Sequence, residues 1–550
     1  MNTQKLRKIS LALSLAISFS LTAAKPNITG TVTADGKPLA GVLVSDGDKI
    51  VKTDKKGRYA INSRKKDGTV FVITPSGYYA PSTDNFQPAF WSLLDKDVRK
   101  KENHDFTLTA QNQDRFTLLF PTDIHIVNDY ERDDINKFKR MALPAMQEIA
   151  AGYRAQGPLY SVNLGDTSHD IFWYDNDMDL VKVIKFLADN NFPGPVYSVS
   201  GNHDNDGSII GDNVDERAAW QYRQVLGPGA YSFNIGNTHW VMLDNVIYKN
   251  IPTAKMKKAK GIRGDRSYDR GFTPEQLEWM RRDIALVPDS MQVFIGCHVP
   301  IIYNRGEHKT LLNDPAQLAI LDDIYKRFDN VIVVSGHSHL NTYMRSEEYP
   351  RFEQYVFVAT SGCIWNTQPG SQILGGDGSA GGVWAGEFVK GQKPVIRFRP
   401  YEGGNDYFRA YDVNEVGRYY NHDYVVDFQR KIYPNRPDFG KEEHRNEILV
   451  NFWGDVAGNK LEILENGKPL KVVKRTDLED PLYNISRCAP AAVKTQKFDK
   501  GENTRENSHL YVARAQTAVD PVEIRVVSPE GKVLYSETMI RPKDFDRKAK

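Results

Sequence analysis

The chain has 550 residues, of which 40% are hydrophobic and 26% charged, and its formal net charge is +2. The length asks for about three domains, and the composition is that of a globular chain with enough apolar material for sizeable cores. The charge balance excludes a general nucleic-acid or membrane-surface binder. Three widely spaced cysteines, Cys297, Cys363 and Cys488, exclude a disulfide framework.

In chain order, Lys5, Arg7 and Lys8 precede an apolar stretch from Ile9 to Leu21, and Thr22-Ala23-Ala24 offers small residues for cleavage. Residues 1–24 therefore read as a cleavable secretory signal, too short for a comfortable membrane span; an uncleaved anchor is the other reading of the same pattern. No Cys lies near the cleavage point, which argues against a lipoprotein, and no later segment is apolar enough to span a bilayer. Loss of the leader leaves 69 basic against 70 acidic residues. The expected location is the periplasm or the extracellular space.

Residues 25–113 read as all-β. Ile28 to Thr33 alternates as a strand does, Asp35-Gly36 offers a turn, Pro38 to Val44 starts another strand, and Phe71 to Thr74 ends at Pro75. From Arg115 the pattern changes to α/β. Strands are expected at Phe116–Phe120, Tyr160–Leu164, Val196–Ser200, Trp240–Leu243, Gln292–Ile295 and Val331–Val334. Helical spacing runs over Asp133–Ala151, and over Asp177–Asp189 with Leu180, Val181, Ile184 and Leu187 inward. Thr273-Pro274-Glu275-Gln276 has the form of a capping box, and a further helix ends near Phe328. Alternating strands and helices imply sheets covered by helices. Trp384 to Arg399 closes this unit near residue 402. The chain is then polar and loop-rich before strands return from Ile448 to Ser536, so that 403–550 reads as a second β domain.

Five short polar blocks each follow one of the apolar strands: Thr122-Asp123-Ile124-His125, Gly165-Asp166, Gly201-Asn202-His203-Asp204, Gly296-Cys297-His298 and Gly336-His337-Ser338-His339. In an open α/β sheet ligands bind at the carboxyl ends of strands, so blocks far apart in sequence are expected to converge, with the glycines making tight turns. Asp, His and Asn suit Zn, Fe or Mn. A carboxylate shared by two cations holds them about 3.5–4 Å apart, as two-metal hydrolysis requires. Singly, each block is more often a salt-bridged pair or a turn; five in order, each after a strand, are specific.

Together the blocks resemble the signature of calcineurin-like metallophosphoesterases, over roughly the middle half of the chain. The flanking β segments resemble those of exported members from Bacteroidetes-type bacteria, and the N-terminal one a transthyretin-like sandwich. The resemblance implies an α/β (α+β) fold, a calcineurin-like four-layer α/β/β/α sandwich flanked by two small all-β domains. It implies hydrolysis of a phosphate mono- or diester by water activated between two divalent or trivalent metal ions such as Zn, Fe or Mn, with no phospho-enzyme. Asp123, His125 and His339 would hold one metal, and Asn202, His298 and His337 the other. Asp166 would bridge both, and His203 would protonate the leaving oxygen or stabilise the transition state. Many relatives carry Asp three places after the bridging Asp, to orient the catalytic His; here His169 stands there, so Asp170 or Asp204 is left for the role.

Asn304, Arg305 and His308, after the His298 block, are candidate substrate contacts, and the substrate class is a small-molecule or glycan-linked phosphate ester. Ser168-His169-Asp170 reads as loop, because consecutive residues cannot form a relay. Cys297 reads as a buried strand end. The basic stretch Lys255–Arg270 is by default a solvated loop, with attraction of an anionic substrate as the alternative. The Gly-rich stretch Ser361–Gly382, with Trp365 and Gln368, is long enough to be functional. An inactive protein on this fold, or a glycan binder working through its β domains, remains the competing class.

Overall fold

The computed structural model describes residues 25–546 except 84–85, 212, 253–263, 306–307, 367–371, 403 and 496–508. The middle of the chain builds two mixed sheets. The first contains β1 (Arg115–Phe120), β2 (Leu159–Asn163) and β3 (Val196–Ser198). The second contains β4 (Ala230–Ile235), β5 (Thr238–Leu243), β8 (Gln292–Cys297), β9 (Val331–Ser335), β10 (Thr342–Arg345) and β11 (Phe352–Val356). Between them in the chain, β6 (Val246–Ile251) and β7 (Asp265–Arg270) pair with each other as a separate hairpin. The chain returns to the first sheet with β12 (Gly382–Val389) and β13 (Val395–Pro400), giving the order β3-β2-β1-β12-β13. The second sheet has the order β4-β5-β8-β9-β11-β10. Neighbours β1, β2 and β3 are parallel, as are β5, β8, β9 and β11.

Alternation along the strands makes the layers. Phe120 on β1 meets Trp240 on β5 at 6.0 Å between ring centroids, and Phe116 stacks on Phe388 at 4.6 Å, so these residues fill the space between the sheets. Leu119, next to Phe120, faces the other way. It packs with Met146 of α1 (Leu143–Arg154) and with Leu180 and Ile184 of α2 (Leu180–Asp189). Likewise His239, beside Trp240, turns outward to Asp283 of α3 (Pro274–Ile284) at 2.9 Å. The result is the four-layer arrangement of helix, sheet, sheet and helix. Thr273 caps α3 with both halves of the capping box in place.

Several expected elements differ in detail. The helix expected over 133–151 is interrupted by a wide π turn at Phe138–Ala142, just before Pro144, which has no N–H to give to Arg140. On α2, Val181 is 43% exposed and Val183 is buried in its place, because the inward stripe runs i, i+3, i+4, i+7 from Leu180. The polar stretch after Pro400 contains two helices, Val413–Tyr420 and Tyr424–Ile432, capped by Asp412 and Asp423. Residues beyond 403 are thus β-rich rather than all-β: two four-stranded sheets with helices packed on one of them. The N-terminal segment forms two sheets whose core is continuous with the middle unit, Phe90 touching Tyr231 at 4.9 Å and Trp279 Nε1 donating to Ser45 Oγ at 3.0 Å. None of the three cysteines is joined in a disulfide, and no helix among the described residues is long and apolar enough to cross a membrane.

The C-terminal sheets reach the loop after β9 through one buried carboxylate. Asp377 Oδ2 accepts from the backbone N of Asn341 at 2.7 Å and meets His509 Nε2 at 3.0 Å, and its Oδ1 accepts from Ser379 N and Oγ at 2.9 and 2.6 Å. Asn341 lies two residues past His339. Each buried donor left without its acceptor costs about 1–3 kcal/mol. Asp377→Ala is therefore expected to lower the thermal midpoint and to loosen the Gly336–Asn341 loop, read as faster amide exchange at Asn341. Unchanged exchange there would show that the C-terminal region does not support this loop.

Candidate metal centre

The blocks at the ends of β1, β2 and β9 turn sharply as they leave the sheet. Asp123 (φ 48°), His125 (48°), Asp166 (51°), His337 (67°) and His339 (60°) all adopt the left-handed backbone region. Side chains other than glycine rarely do so, at about 1–3 kcal/mol each, and such strain concentrates at functional sites. Two glycines serve close approach rather than a turn: a Cβ at Gly201 would strike the Asp166 carboxylate, and one at Gly336 the Thr122 hydroxyl. A loop from the Gly-rich stretch braces the first block, since Thr360 N donates to Thr122 O at 2.9 Å and Trp365 Nε1 to Ile124 O at 2.9 Å.

The ligand-type side chains meet in two adjoining groups, Asp123 with His125 and His339, and Asp166 with His298 and His337. Each presents one atom inward, and all but His339 have the outer atom occupied by protein. His125 donates Nδ1–H to Ser168 O (3.1 Å) and His298 donates Nδ1–H to Leu164 O (2.7 Å), which turns Nε2 of both rings inward, that of His298 toward Asp166. Asp123 Oδ2 accepts from Thr122 Oγ1 (2.7 Å) and His337 N (2.9 Å), while Oδ1 is buried with no hydrogen-bond partner. Asp166 Oδ1 accepts from His203 N at 2.7 Å. His337 meets the Tyr268 hydroxyl through Nε2 at 3.2 Å.

The inward atoms crowd together. His125 Nε2 is 3.2 Å from His339 Nε2, and His298 Nε2 is 3.2 Å from each of His337 Nδ1, Asn202 Oδ1 and Asp166 Oδ2. Asp123 Oδ1 is 3.1 Å from His339 Nε2, and Asp166 Oδ2 is 3.8 Å from His125 Nε2 and so touches both groups. Carboxylate oxygens and imidazole nitrogens converging in a buried space call for positive charge between them. The N/O donor set fits first-row divalent ions, and Asp166 is placed to serve two of them.

Electrostatics point the same way. Burial alone would raise the Asp123 and Asp166 carboxyls, but the imidazoles facing them, His339 and His298 first, hold both well below the usual carboxylate range. Burial pushes His125 and His337 down to about 3, so both rings are neutral and able to ligate. Burial also disfavours a charged His298, yet Asp166 and Asp123 outweigh it and lift that ring to about 10. The two carboxylates thus favour positive charge at the His298–Asp166 contact, where a bound cation would compete with the ring proton.

His203 stands beside this centre, its ring 5.4 Å from that of His125. Of the two carboxylates expected to orient it, Asp170 does so, through His203 Nδ1 to Oδ1 at 2.8 Å. Asp204 is instead buried beneath the loop, accepting from the backbone N of Thr167, Ser168 and Gly201. The helical turn that begins at Asp170 makes the one-residue shift possible, and the displaced His169 packs its ring on His203 at 3.7 Å. His169, Asp170 and His203 form a third cluster of ligand types. Asp170 there already receives His203 on Oδ1 and the guanidinium of Arg266 on Oδ2, so its charge is matched by side-chain donors of the protein.

Arg266 and Tyr268 come from β7, within the basic stretch whose alternative reading, attraction of an anionic substrate, includes Arg266 but gave no sign of Tyr268. Cys297 is a buried strand end, as its sequence context suggests. The backbone of Ile302–Arg305 and His308–Thr310 forms a small hairpin, but the side chains of Asn304, Arg305 and His308 lie outside the described residues, as do Lys257, Lys258, Lys260, Arg263 and Gln368.

Three family models match consecutive parts of the chain: "N terminal of Calcineurin-like phosphoesterase" over residues 26–111, "Calcineurin-like phosphoesterase" over 116–341, and "C terminal of Calcineurin-like phosphoesterase" over 354–534. No curated protein matches. Among solved structures, a dimetal phosphatase from Danio rerio is 15% identical, with 52% of this chain and 96% of that one covered at a TM-score of 0.33. A calcineurin-like phosphoesterase from Bacillus subtilis is 15% identical, covering 51% and 90% at 0.27. A 5'-nucleotidase from Candida albicans is 13% identical, covering 53% of each chain at 0.30. With strand-end blocks converging on a buried set of inward-facing donors and all three models matched, the chain belongs to the calcineurin-like phosphoesterases.

Proposed function

We propose that the protein hydrolyses a phosphate mono- or diester, small-molecule or glycan-linked, outside the cytoplasm. Export rests on the leader pattern of residues 1–24. The family supports metal-dependent phosphoester hydrolysis. The observation that carries the reading is the inward-facing donor set: Asp123, His125 and His339 would hold one metal ion, Asn202, His298 and His337 a second, and Asp166 both. When bound, such a pair lowers the pKa of water and neutralises charge on the phosphoryl group.

The chain's own residues do the rest. The carbonyls of Leu164 and Ser168 fix the tautomers of His298 and His125. Asp170 holds the His203 ring by Nδ1, which leaves Nε2 to carry a proton to the leaving oxygen.

Two metal ions per chain are expected to copurify or rebind, and strong chelation to abolish turnover. Asp166→Asn, which alters the carboxylate shared by both groups, is expected to lose more metal and more activity than Asn202→Ala, measured by elemental analysis and rate on one preparation. Full activity without metal, or a normal Asp166→Asn protein, would overturn the centre.

His203→Ala is expected to keep both metals and lose about 10²–10⁴-fold in rate on alkyl phosphates, the range of general-acid help. The loss should be smaller on p-nitrophenyl esters, whose leaving group needs little protonation. Equal losses at matched pH would mean that His203 stabilises charge without donating a proton, and loss of metal would make it a ligand.

A further inference from the structure

The hairpin of β6 and β7 belongs to neither sheet, yet it sends Tyr268 to His337 of the metal centre and Arg266 to Asp170 beside it. Arg266 and Tyr268 are two residues apart on β7 and so share a face. Tyr268 reaches His337 on one side of the centre, and Arg266 reaches Asp170 on the other. The Arg266 side chain is only 16% exposed. Its guanidinium has five N–H donors, and among the described residues Asp170 is its only hydrogen-bonded or ion-paired partner. Asp170 is in turn bound to His203, so the guanidinium lies one carboxylate away from the ring placed at the leaving oxygen. If its purpose were only to neutralise Asp170, a lysine would serve. A planar fork with donors to spare matches a phosphoryl group, whose oxygens accept two parallel N–H groups.

We propose that Arg266 is a phosphate-binding catalytic residue of this centre, held against Asp170 and donating its remaining N–H groups to a non-bridging oxygen of the phosphoryl group under attack. This rests on the phosphoester reading above. The hairpin is then an arm that closes the metal centre on the side of His203, with a cation fixed where negative charge builds in the transition state. No bond to Arg266 forms or breaks; its role is charge and position.

The test is binding of inorganic phosphate to the metal-loaded full-length protein by calorimetry, alongside kinetics and metal content on the same preparations. Arg266→Ala is expected to keep two metals per chain and the wild-type melting curve, to weaken phosphate binding at least tenfold, and to lower kcat/KM by about 10²–10³-fold, as loss of one transition-state donor does. Arg266→Lys should recover only part of either. Adding Arg266→Ala to Asp170→Asn should weaken phosphate binding again. Unchanged phosphate affinity in Arg266→Ala, no further loss in the Asp170→Asn background, or no phosphate binding to the metal-loaded wild type would overturn the assignment. A wild type that binds phosphate through Arg266 but turns over no phosphoester would instead overturn the hydrolase reading and leave the assignment standing.

Discussion

The convergence of ligand-type side chains on one buried space is the constraint on which the middle of this protein depends. Two carboxylates and four imidazoles, most of them fully buried, approach to between 3.1 and 3.8 Å with their ligand-type atoms toward each other. A polypeptide would ordinarily relax such an arrangement by rotating side chains toward water or toward donors. Here rotation is blocked, because the outer atom of nearly every group is tied to protein: Asp123 to Thr122 and His337, His298 to Leu164, His125 to Ser168. Side chains held this way are set to receive cations between them, which makes the outer hydrogen bonds as much a part of the centre as the ligand-type atoms.

The scaffold explains how the arrangement is held. Five ligand-type residues sit in left-handed backbone, a local cost accepted only where surrounding structure over-determines it. That structure comes from all parts of the chain. Parallel strands β1, β2, β8 and β9 end at one edge, Trp365 and Thr360 clamp the first block, and the C-terminal sheets hold the loop beyond His339 through Asp377 and His509. The C-terminal region is therefore coupled to the centre and not merely appended to it. The N-terminal sheets share a core with the second sheet through Phe90 and Trp279. That contact lies among the strands and on α3 rather than at the ligand edge, which suits a stabilising partner.

Much of this was legible from residues alone. Apolar strands followed by Gly-Asp or Gly-His blocks are local signals: a buried parallel strand reads as an apolar run, and its polar tip reads as a ligand-bearing turn. What escaped sequence reading was conformational detail with competing local solutions. The π turn before Pro144, the exposure of Val181 and the two helices after Pro400 each depend on packing that a window of residues does not contain.

The sequence by itself determined the chemistry available and the strand ends that carry it, because residue type and hydrophobic period are properties of short segments. Only the tertiary structure decided which carboxylate serves His203. Asp170 and Asp204 are equally plausible by spacing, but the turn starting at Asp170 aims its carboxylate at the ring while the backbone amides of Thr167, Ser168 and Gly201 claim Asp204. It also decided that Arg266 and Tyr268, nearly a hundred residues from Asp170 in the chain, belong to the centre at all. Contacts between segments so distant follow from how sheets and hairpins pack in space, and nothing in the local sequence encodes that.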